Sequence, residues 1–595
     1  MRRAAAAAAL CALALVPAAG AATSTAPRAV PTAPVYDFKG RLIETPFAPA
    51  AKLTQQQAIA KFLADPKVRD WLDRYPAAKR TSEATFQSGR GSWEVKIWWD
   101  AAGEIATGRV DDVTGAVLEA WTGPQVAWKM ARGYNGAFGG LKINDPWIWG
   151  ALCLVFLVGL ADFRRPLSLR NVDLLVLLSF SVSLWFFNRG DIFTSVPLVY
   201  PPLLYLIGRG LWVGLTGRGT PGHAVWPAWV LLGATVFLAG FRIGLNVEAS
   251  NVIDVGYAGV IGADRIAHGV SPYGHFPVEG ELKACGPADS EGEIRDRIQA
   301  NGRCESANPQ GDTYGPAAYE AYLPGYWILG WSGKWDTLPA AHLTSILWDL
   351  LCLVGLFLVG RRYGGTNLAA ALPFAWAAYP FTQYASNSNT NDMILPAFLI
   401  WGLWLAGSET WRGALGALSG WTKFAALIVA PLWLTYPDRR PKVRYAVGFG
   451  IATLLTFGIL LLESNPIHAV HVFYDRTLAP QIGRQSPFSL WDWRQYHARG
   501  LPNLHLVQQA LEALLLAAAA LLPFFPRWKS PLQLAALTAV LLLGFELVLT
   551  HWSYLYIPWF FAFSAIATLA PARKREPALG AEEEAQPRPE LIPAP

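Results

Sequence analysis

From residue 146 onward the sequence consists of long apolar runs separated by short polar segments, and this pattern limits the possible folds more than any other feature. The runs are roughly 15–25 residues long, close to the length that a helix needs to cross a bilayer. Hydrophobic residues make up 53% of the 595 residues and charged residues 15%, which is typical of a multi-spanning membrane protein. We therefore predict an α-helical membrane domain over 146–570 with about 12 membrane segments: 146–162, 172–187, 192–214, 225–245, 338–360, 367–385, 392–406, 411–436, 444–463, 504–524, 531–550 and 552–570.

The charges in the short connections indicate how these segments are oriented. If residue 145 lies outside, the inside connections are basic and the outside connections carry almost no Lys or Arg, as the positive-inside rule requires. The basic connections are FRRPLSLRN, GRGLWVGLTGRG, RRYGG, PDRRPKVR, FPRWKSP and PARKRE. The formal net charge of +6 is too small and too scattered for a nucleic-acid partner. We therefore expect the bilayer of the cell membrane to be the main partner.

One apolar run cannot be a single crossing. The segment 392–406 must end inside, and the basic connection at 437–444 must also lie inside, so 411–436 has to enter the membrane and return. Its middle reads LSGWTKFAA, which predicts two short helices that meet at Gly420–Lys423. Non-helical backbone at membrane depth is tolerated only where protein or a water-filled cavity surrounds it. Lys423 is therefore expected in the protein interior, where an ionisable residue is a functional candidate.

The chain before residue 146 has a different character. Residues 1–22 have the form of a secretory signal, either cleaved or retained as an anchor, and 23–51 read as a linker. Residues 52–124 predict a small α+β domain with one amphipathic helix over 53–75 and strands in WEVKIWWD and EIATGRVDDVTGAVLEAW, the latter with a turn at Asp111–Gly115. The Pro-rich and charged tail at 571–595 predicts a disordered cytoplasmic segment.

The end of the N-terminal domain, VDDVTGAVLEAW, resembles the strand-turn-strand pattern of PepSY-type domains. That resemblance implies an extracytoplasmic module with a protein partner or a regulatory role and no chemistry of its own. The alternative is a domain that only packs on the external loops.

The predicted topology places every long polar segment on the outer face, including the external loop 246–337, and 386–392, 464–503 and 551–556. Nucleotide donors are cytoplasmic, so an enzyme on this face needs a donor delivered through the membrane, such as a sugar on a polyprenyl phosphate. The chain contains no GxxxxGK[ST], HExxH or GxSxG motif that would indicate another chemistry.

The first external loop carries the second resemblance. Its residues Asp254, Tyr257, Ala258, Gly269, Pro272 and Tyr273 match the pattern of GT-C glycosyltransferases, and of glycosyltransferase family 87 in particular. Three later segments agree with this family pattern: TYGPAAYEAYLPGYW, SGWTKFAA and GRQSPFSLW. The match therefore covers about 225–570. This resemblance implies an inverting transfer of mannose or a related hexose from a polyprenyl-phosphate donor. Three features depart from the family pattern and leave the acceptor open: the insertion at 279–311, the extra spans at 146–214 and the PepSY-like domain.

Sugar transfer from a lipid phosphate needs a base for the acceptor hydroxyl and cations for the departing phosphate. We assign the base to Asp254, with a helix N-cap as its alternative. Small residues at 256, 259, 262 and 263 would let this helix approach its neighbours closely. Lys423 is the candidate phosphate ligand. The alternatives are that its side chain snorkels towards the interface or that it pairs with Asp392. Arg476 and Arg484 are further candidate phosphate ligands, and the alternative for each is an ordinary solvated or interfacial charge.

The remaining candidate substrate contacts each have a structural alternative. Tyr257 and Tyr273 follow from the family resemblance. Asp264 shares a helix face with His268 and can simply pair with it or with Arg265. The other candidates are polar or aromatic residues that a turn or the aromatic belt would equally explain: Asn389, Asp392, His551 and Tyr554.

Two cysteines, Cys285 and Cys304, fall in the external insertion. In an oxidising compartment we expect them to form a disulfide, because no His or Asp completes a metal-ligand spacing. No cofactor or metal site is predicted elsewhere.

The sequence thus predicts a membrane glycosyltransferase whose active face is extracytoplasmic and whose acceptor is an envelope glycan or glycolipid. The alternatives are a transporter or flippase of lipid-linked sugars, and a membrane-anchored module that binds protein through the PepSY-like domain.

Overall fold

A computed structural model describes residues 51–88, 91–99, 103–123, 126, 137–189, 192–219, 225–276, 311–332, 338–481, 486, 488–492 and 502–571. It also assigns short strands at Val35–Tyr36, Leu42–Ile43, Lys283–Ala284, Asp296–Ile298 and Cys304–Ser306. The predicted signal, most of the linker, most of the insertion and all but the first residue of the tail lie outside the described residues.

The N-terminal domain consists of two helices packed on one antiparallel sheet. Helices α1 (Gln55–Leu63) and α2 (Pro66–Leu72) precede the strands, which pair in the order β1-β2-β3-β4. The strands are Arg80–Gln87, Ser92–Trp99, Gly103–Asp111 and Val117–Thr122. Phe62 and Val68 of the helices pack against Val95 and Ile105 of the sheet in a separate apolar core. The predicted α+β class of this domain is confirmed.

Two details of this domain differ from the sequence prediction. The single helix expected over 53–75 is two helices, because Pro66 cannot continue a helix and Asp65 caps the second one by accepting a hydrogen bond from the Lys67 backbone at 3.0 Å. Strand β1 was not predicted, since most of its side chains are exposed and give no apolar alternation.

The C-terminal part of the chain is a helical domain. Its first helices are α3 (Pro146–Leu160), α4 (Leu169–Asn188), α5 (Tyr200–Thr216) and α6 (Ala228–Ala249). The following loop carries α7 (Asp254–Ala267), α8 (Pro316–Glu320) and α9 (Leu323–Leu329). The remaining helices are α10 (Pro339–Ala378), α11 (Pro380–Asn387), α12 (Ile394–Trp404), α13 (Glu409–Thr422), α14 (Ala430–Leu434), α15 (Val443–Thr456), α16 (Pro466–Thr477), α17 (His505–Leu521), α18 (Pro531–Val548) and α19 (Ile557–Leu569).

Within the described ranges, seven helices are long and apolar enough to cross a membrane: 169–188, 196–216, 228–249, 339–378, 443–462, 505–524 and 531–548. A helix lies at every predicted segment, but length and composition alone do not show all of the about 12 predicted membrane segments to be spans. Helix α10 covers two predicted segments and is broken at Gly365, whose φ of 73° is outside the helical region. The segments at 146–160, 424–434 and 554–569 are apolar but shorter.

The predicted break in the run 411–436 is confirmed. Helix α13 ends at Thr422, Lys423 is extended, and a 3₁₀ turn over Phe424–Val429 leads into α14. Near the start of α13 the buried guanidinium of Arg412 donates hydrogen bonds to the carbonyl oxygens of Ala406, Trp433 and Tyr436. Residues on both sides of the segment therefore meet, as a hairpin requires, and Lys423 is its tip.

Three of the basic connections come together at the base of this hairpin, which we call the Arg412 end. Arg362 donates to the carbonyl of Trp404 at 2.6 Å, two residues before Ala406, and the backbone nitrogen of Lys529 donates to the carbonyl of Pro437 at 2.8 Å. Their convergence at one end is the arrangement that the positive-inside rule predicts for the inner side of a membrane protein.

The helices α3–α5 belong to the same body as the rest of the helical domain. Asp173 of α4 pairs with Arg209 of α5 at 3.0 Å and accepts a hydrogen bond from Tyr205 at 2.8 Å. The amide of Gln533 in α18 donates to the carbonyl of Gly214 in α5 at 3.0 Å. These spans, which the family resemblance left unexplained, are thus packed against the C-terminal helices in one apolar core.

A second buried ion pair joins α6 to α10. The guanidinium of Arg242 contacts both carboxylate oxygens of Asp349 at 2.6 and 2.8 Å, and the indole of Trp376 donates to the same carboxylate at 2.8 Å. Both charged side chains lie within apolar helices, so the polar groups of this chain are not confined to one end. Sequence reading missed this pair because its members are far apart in the chain.

The Arg242–Asp349 pair gives the first prediction. Arg242→Met leaves a carboxylate buried without its partner, and we expect a loss of about 3–5 kcal/mol in the free energy of unfolding. The double variant Arg242→Met/Asp349→Leu removes both charges and should recover most of that loss. Thermal unfolding in detergent, followed by tryptophan fluorescence, measures both. If the double variant lost as much stability as the sum of the two single variants, Arg242→Met and Asp349→Leu, the pairing would be contradicted.

Candidate functional site

The chain that leads into α7 lies against a buried polar turn at residues 387–392. The backbone nitrogen of Asn251 donates to the carbonyl of Asn387 at 3.1 Å, and that of Ile253 donates to the carbonyl of Ser388 at 3.4 Å. Asp254 follows as the first residue of α7, with Ile253 at the cap position, so Asp254 is not the N-cap. Its half-buried carboxylate accepts a hydrogen bond from the backbone of Val255 at 3.0 Å.

Lys423 reaches the other end of the same turn. Its ammonium lies 2.5 Å from the carboxylate of Asp392, which also accepts hydrogen bonds from Trp559 at 3.0 Å and Thr390 at 2.6 Å. The pairing of Lys423 with Asp392, one of the alternatives from the sequence, is confirmed. Asp392 is 1% exposed, and a carboxylate buried to that degree requires such partners.

Three aromatic rings surround the Lys423 ammonium. It lies 5.0 Å from the ring centre of Trp559, 5.1 Å from that of Tyr556 and 5.7 Å from that of Tyr314. At these distances the ring faces stabilise a cation electrostatically. The Asp392 carboxylate and these rings thus surround the ammonium at a point where the backbone is not helical.

Tyr314 connects this cage to Asp254. Burial raises the pKa of the Tyr314 phenol, and the neighbouring carboxylate of Asp254 raises it further, followed by Tyr556 and Asp392. Both carboxylates therefore act electrostatically on this phenol. We call Asp254, Tyr314, Asp392, Lys423, Tyr556 and Trp559 the Lys423 cluster, and the end of the domain that carries it the Asp254 end.

The small residues of α7 explain how the helix reaches this position. A methyl group at Gly259 would lie 2.5 Å from the ring of Tyr322, and one at Gly262 would lie 2.1 Å from the ring of Tyr319. These tyrosines hold the segment that carries Tyr314, since the Tyr319 hydroxyl accepts a hydrogen bond from the Tyr314 backbone at 3.1 Å. The predicted reason for the glycines, close approach to neighbouring structure, is confirmed.

Several predicted site residues support this arrangement from outside the cluster. The Tyr273 hydroxyl donates to the Tyr314 carbonyl at 2.9 Å, and the ring of Tyr257 packs edge-on against Trp331. Asn389 is fully buried, with its side chain bonded to protein atoms. We therefore place Tyr273 and Asn389 in the support of the cluster, whereas Tyr257 packs on the external loop.

Asp264 lies in a different environment from Asp254. It accepts a hydrogen bond from the Tyr326 hydroxyl at 2.9 Å and pairs with Arg265 at 3.2 Å, and His268 lies 3.4 Å away. Ten residues of helix separate it from Asp254 by about 15 Å along the axis. The alternative from the sequence, pairing with Arg265 or His268, describes this residue.

Arg476 pairs with a carboxylate that sequence reading did not single out. Its guanidinium lies 2.7 Å from Asp312, which is fully buried and also accepts a hydrogen bond from the Gly274 backbone at 2.8 Å. The pair ties α16 to the loop between α6 and α10. This places Arg476 beside the external loop, with its charge opposed by Asp312.

The last two predicted residues in the described part contact the neighbouring structure. His551 exchanges a hydrogen bond with the Ser486 hydroxyl at 2.9 Å. The Tyr554 hydroxyl lies 2.6 Å from Ser183 and 2.7 Å from Ser195, so it faces α4 and the short helix Ile192–Ser195 that precedes α5. Arg484, Cys285 and the side chain of Cys304 lie outside the described residues.

The cluster combines a carboxylate, an ammonium in an aromatic cage and hydroxyl groups within one region. Such a set can accept a proton from a hydroxyl and hold an anion. It is less suited to a metal, and within the described ranges no three His, Cys, Asp or Glu side chains come together as ligands. The aromatic members, Tyr314, Tyr556 and Trp559, were missed because only the tertiary contact with Lys423 marks them.

Comparisons with protein-family models, with curated proteins and with solved structures give no match to this chain. The Lys423 cluster and the sequence resemblance are therefore the features of this chain that bear on its function.

The contact between α7 and the polar turn gives the second prediction. A methyl group at Gly256 would lie 2.2 Å from the carbonyl oxygen of Asn389, and that backbone cannot easily move. We expect Gly256→Ala to lower the free energy of unfolding by about 1–3 kcal/mol. Gly244→Ala in α6 is the control, because nothing lies within 4 Å of the added methyl. Equal thermal midpoints for both variants would contradict the close contact.

The third prediction concerns Glu320 at the end of α8. Burial raises its pKa from 4.5 to about 7. Between these values the unfolded chain loses the proton while the folded chain keeps it, so the stability contributed by the neutral form is lost as the pH rises from about 4.5 through 7.

Glu320→Gln should therefore become more stable than the native chain by on the order of 1–3 kcal/mol as the pH rises from 5 to 7.5. Chemical unfolding at several pH values measures this difference. The exposed Asp475→Asn is the control, and a difference for Glu320→Gln that does not change with pH would refute the assignment.

Proposed function

We propose that this chain is a membrane glycosyltransferase that moves a hexose, mannose or a related sugar, from a polyprenyl phosphate to an envelope glycan or glycolipid with inversion. The observation that carries the proposal is that one buried polar turn, residues 387–392, hydrogen-bonds the chain directly before Asp254 and supplies Asp392, the counterion of Lys423. The GT-C-like arrangement with about 12 membrane segments, including the hairpin at Lys423, is part of the proposal.

In this proposal Asp254 is the general base. The acceptor hydroxyl oxygen forms a bond to the anomeric carbon of the donor sugar while the bond from that carbon to the phosphate oxygen breaks. The hydroxyl proton passes to the Asp254 carboxylate, and the bonding electron pair leaves with the phosphate. A single displacement of this kind inverts the configuration of the anomeric carbon.

Lys423 would stabilise the negative charge that develops on the departing phosphate. An ammonium carries three donors, so its bond to Asp392 does not by itself prevent a phosphate oxygen from becoming a further acceptor. The aromatic rings around it limit access of water, and they therefore strengthen the attraction between ammonium and phosphate. Arg476 of α16 is a further cation in this proposal, with its charge opposed by Asp312.

The orientation follows from the opposite end of the domain. The basic connections at the Arg412 end favour the inner side of the cell membrane, which puts the Lys423 cluster on the extracytoplasmic side. A donor carried on a lipid can reach that side without a soluble nucleotide. The PepSY-like domain would then lie on the same side, where it could bind a protein partner.

A transporter of lipid-linked sugars is the second candidate, and the buried charges of α4–α6 and α10 are the feature that favours it. Transport sites are built from charged groups near the bilayer centre. However, Arg242 is paired with Asp349, and Arg209 with Asp173, by direct contacts between neighbouring helices. The irregular backbone lies at Lys423, and transport sites are also built on discontinuous helices, so this break by itself does not separate the two candidates.

The fourth prediction tests the proposal directly. In purified protein reconstituted in liposomes, with radiolabelled polyprenyl-phosphate-mannose and an envelope extract as acceptor, Asp254→Asn should lower the rate of transfer by about 10²–10⁴-fold. The double variant Lys423→Gln/Asp392→Asn, which leaves no buried charge unpaired, should lower it by about 10²–10³-fold.

Asp475→Asn and Lys142→Gln are matched controls at exposed positions. Unchanged transfer by Asp254→Asn would rule out the base. Movement of the labelled lipid across the bilayer by the native chain, without any transfer, would favour the transporter.

A further inference from the structure

The polar turn at residues 387–392 is buried throughout, with each residue at most 2% exposed. A polar segment that is shielded from water has to satisfy its donors and acceptors within the protein. The bonds that it makes are therefore informative about what it holds in place.

Asn389 is the centre of this turn. Its side-chain nitrogen donates to the Ser250 hydroxyl and to the Asn251 carbonyl, each at 2.9 Å, and its side-chain oxygen accepts from the Asn246 amide at 2.9 Å. Its φ of 53° lies in the left-handed region, which asparagine tolerates better than most residues. All three partners belong to the end of α6 and the junction directly before Asp254.

The backbone of the turn holds the same junction. Asn251 and Ile253 donate to the carbonyls of residues 387 and 388, and the Asn389 carbonyl accepts a hydrogen bond from the Tyr322 hydroxyl at 3.2 Å. Gly256 in the first turn of α7 packs on that carbonyl. Both the side chain and the backbone carbonyl of Asn389 thus contact the residues that flank Asp254.

The other end of the turn sets the position of Lys423 through Asp392. Residues 389 and 392 are three positions apart, so the chain between them spans at most about 10 Å. One short segment therefore connects the support of Asp254 to the counterion of Lys423.

We propose that Asn389 is a positioning residue, which fixes the separation between the Asp254 carboxylate and the Lys423 ammonium, and is not a sugar ligand. This inference depends on the proposed function for its catalytic consequence. A displacement of about 1 Å between reacting groups can reduce a rate by about 10²-fold, so the loss of one supporting side chain can affect turnover without removing a group that touches substrate.

The test compares Asn389→Gly, which keeps the left-handed backbone, with Asn387→Ala. Asn387 is the matched control because it is the same residue type, is fully buried in the same turn, and directs its side chain to Gln383. Ser250→Ala is a milder variant that removes one acceptor of Asn389 from the opposite side.

The first readout is hydrogen exchange of the backbone amides of residues 251 and 253, which does not require activity. We expect at least about tenfold faster exchange in Asn389→Gly and Ser250→Ala, because the junction opens more often, and no change in Asn387→Ala. Unchanged exchange in both Asn389→Gly and Ser250→Ala would overturn the inference, whatever the transfer assay shows.

The second readout is transfer by the reconstituted protein. We expect kcat for Asn389→Gly to fall about 10–100-fold while the KM for the lipid donor stays within about twofold, since Asp392 and Lys423 remain paired. An increase in KM with unchanged kcat would instead identify a sugar ligand and overturn the inference. A native chain without transfer would refute the proposed function, and the exchange measurement would still decide the positioning role.

Discussion

The ion pair between Lys423 and Asp392 is the interaction on which the arrangement of the Asp254 end depends. An ammonium inside an apolar domain is unstable without a counterion, and the pair supplies one at the point where the hairpin backbone is not helical. Trp559 donates to the same carboxylate, so the last helix is held to the pair as well. The hairpin, the polar turn and the C-terminal helix therefore meet at one charged contact.

The other buried pairs have a different role. Arg242 with Asp349 and Arg209 with Asp173 connect neighbouring helices along their length, and each guanidinium is matched to a carboxylate by direct contact. Such pairs specify which helices lie side by side, as buried polar contacts do in some proteins. Lys423 differs because its partner also belongs to the turn that positions Asp254, and because aromatic rings surround it. The distinction lies in the surroundings of the charge and not in its burial.

Much of the secondary structure could be predicted because it depends on properties of short segments. Apolar runs gave the positions of the helices, and the sequence LSGWTKFAA together with the charge rule gave the break at Lys423. The same reading separated 338–360 from 367–385, and the backbone breaks between them at Gly365. It missed the division of the first helix at Pro66. That error concerns where a helix stops, which depends on one proline and the packing around it.

The sequence by itself determined the class of protein, the helix positions and the candidate residues, because hydropathy and charge are local to each segment. Only the tertiary structure decided which candidates come together. Asp254 and Asp264 share a helix, yet one is near Tyr314 and the other bonds to Tyr326. Arg476 is opposed by Asp312, and Tyr554 faces Ser183, through contacts between residues far apart in the chain. Such contacts depend on how the helices pack, which no single segment encodes.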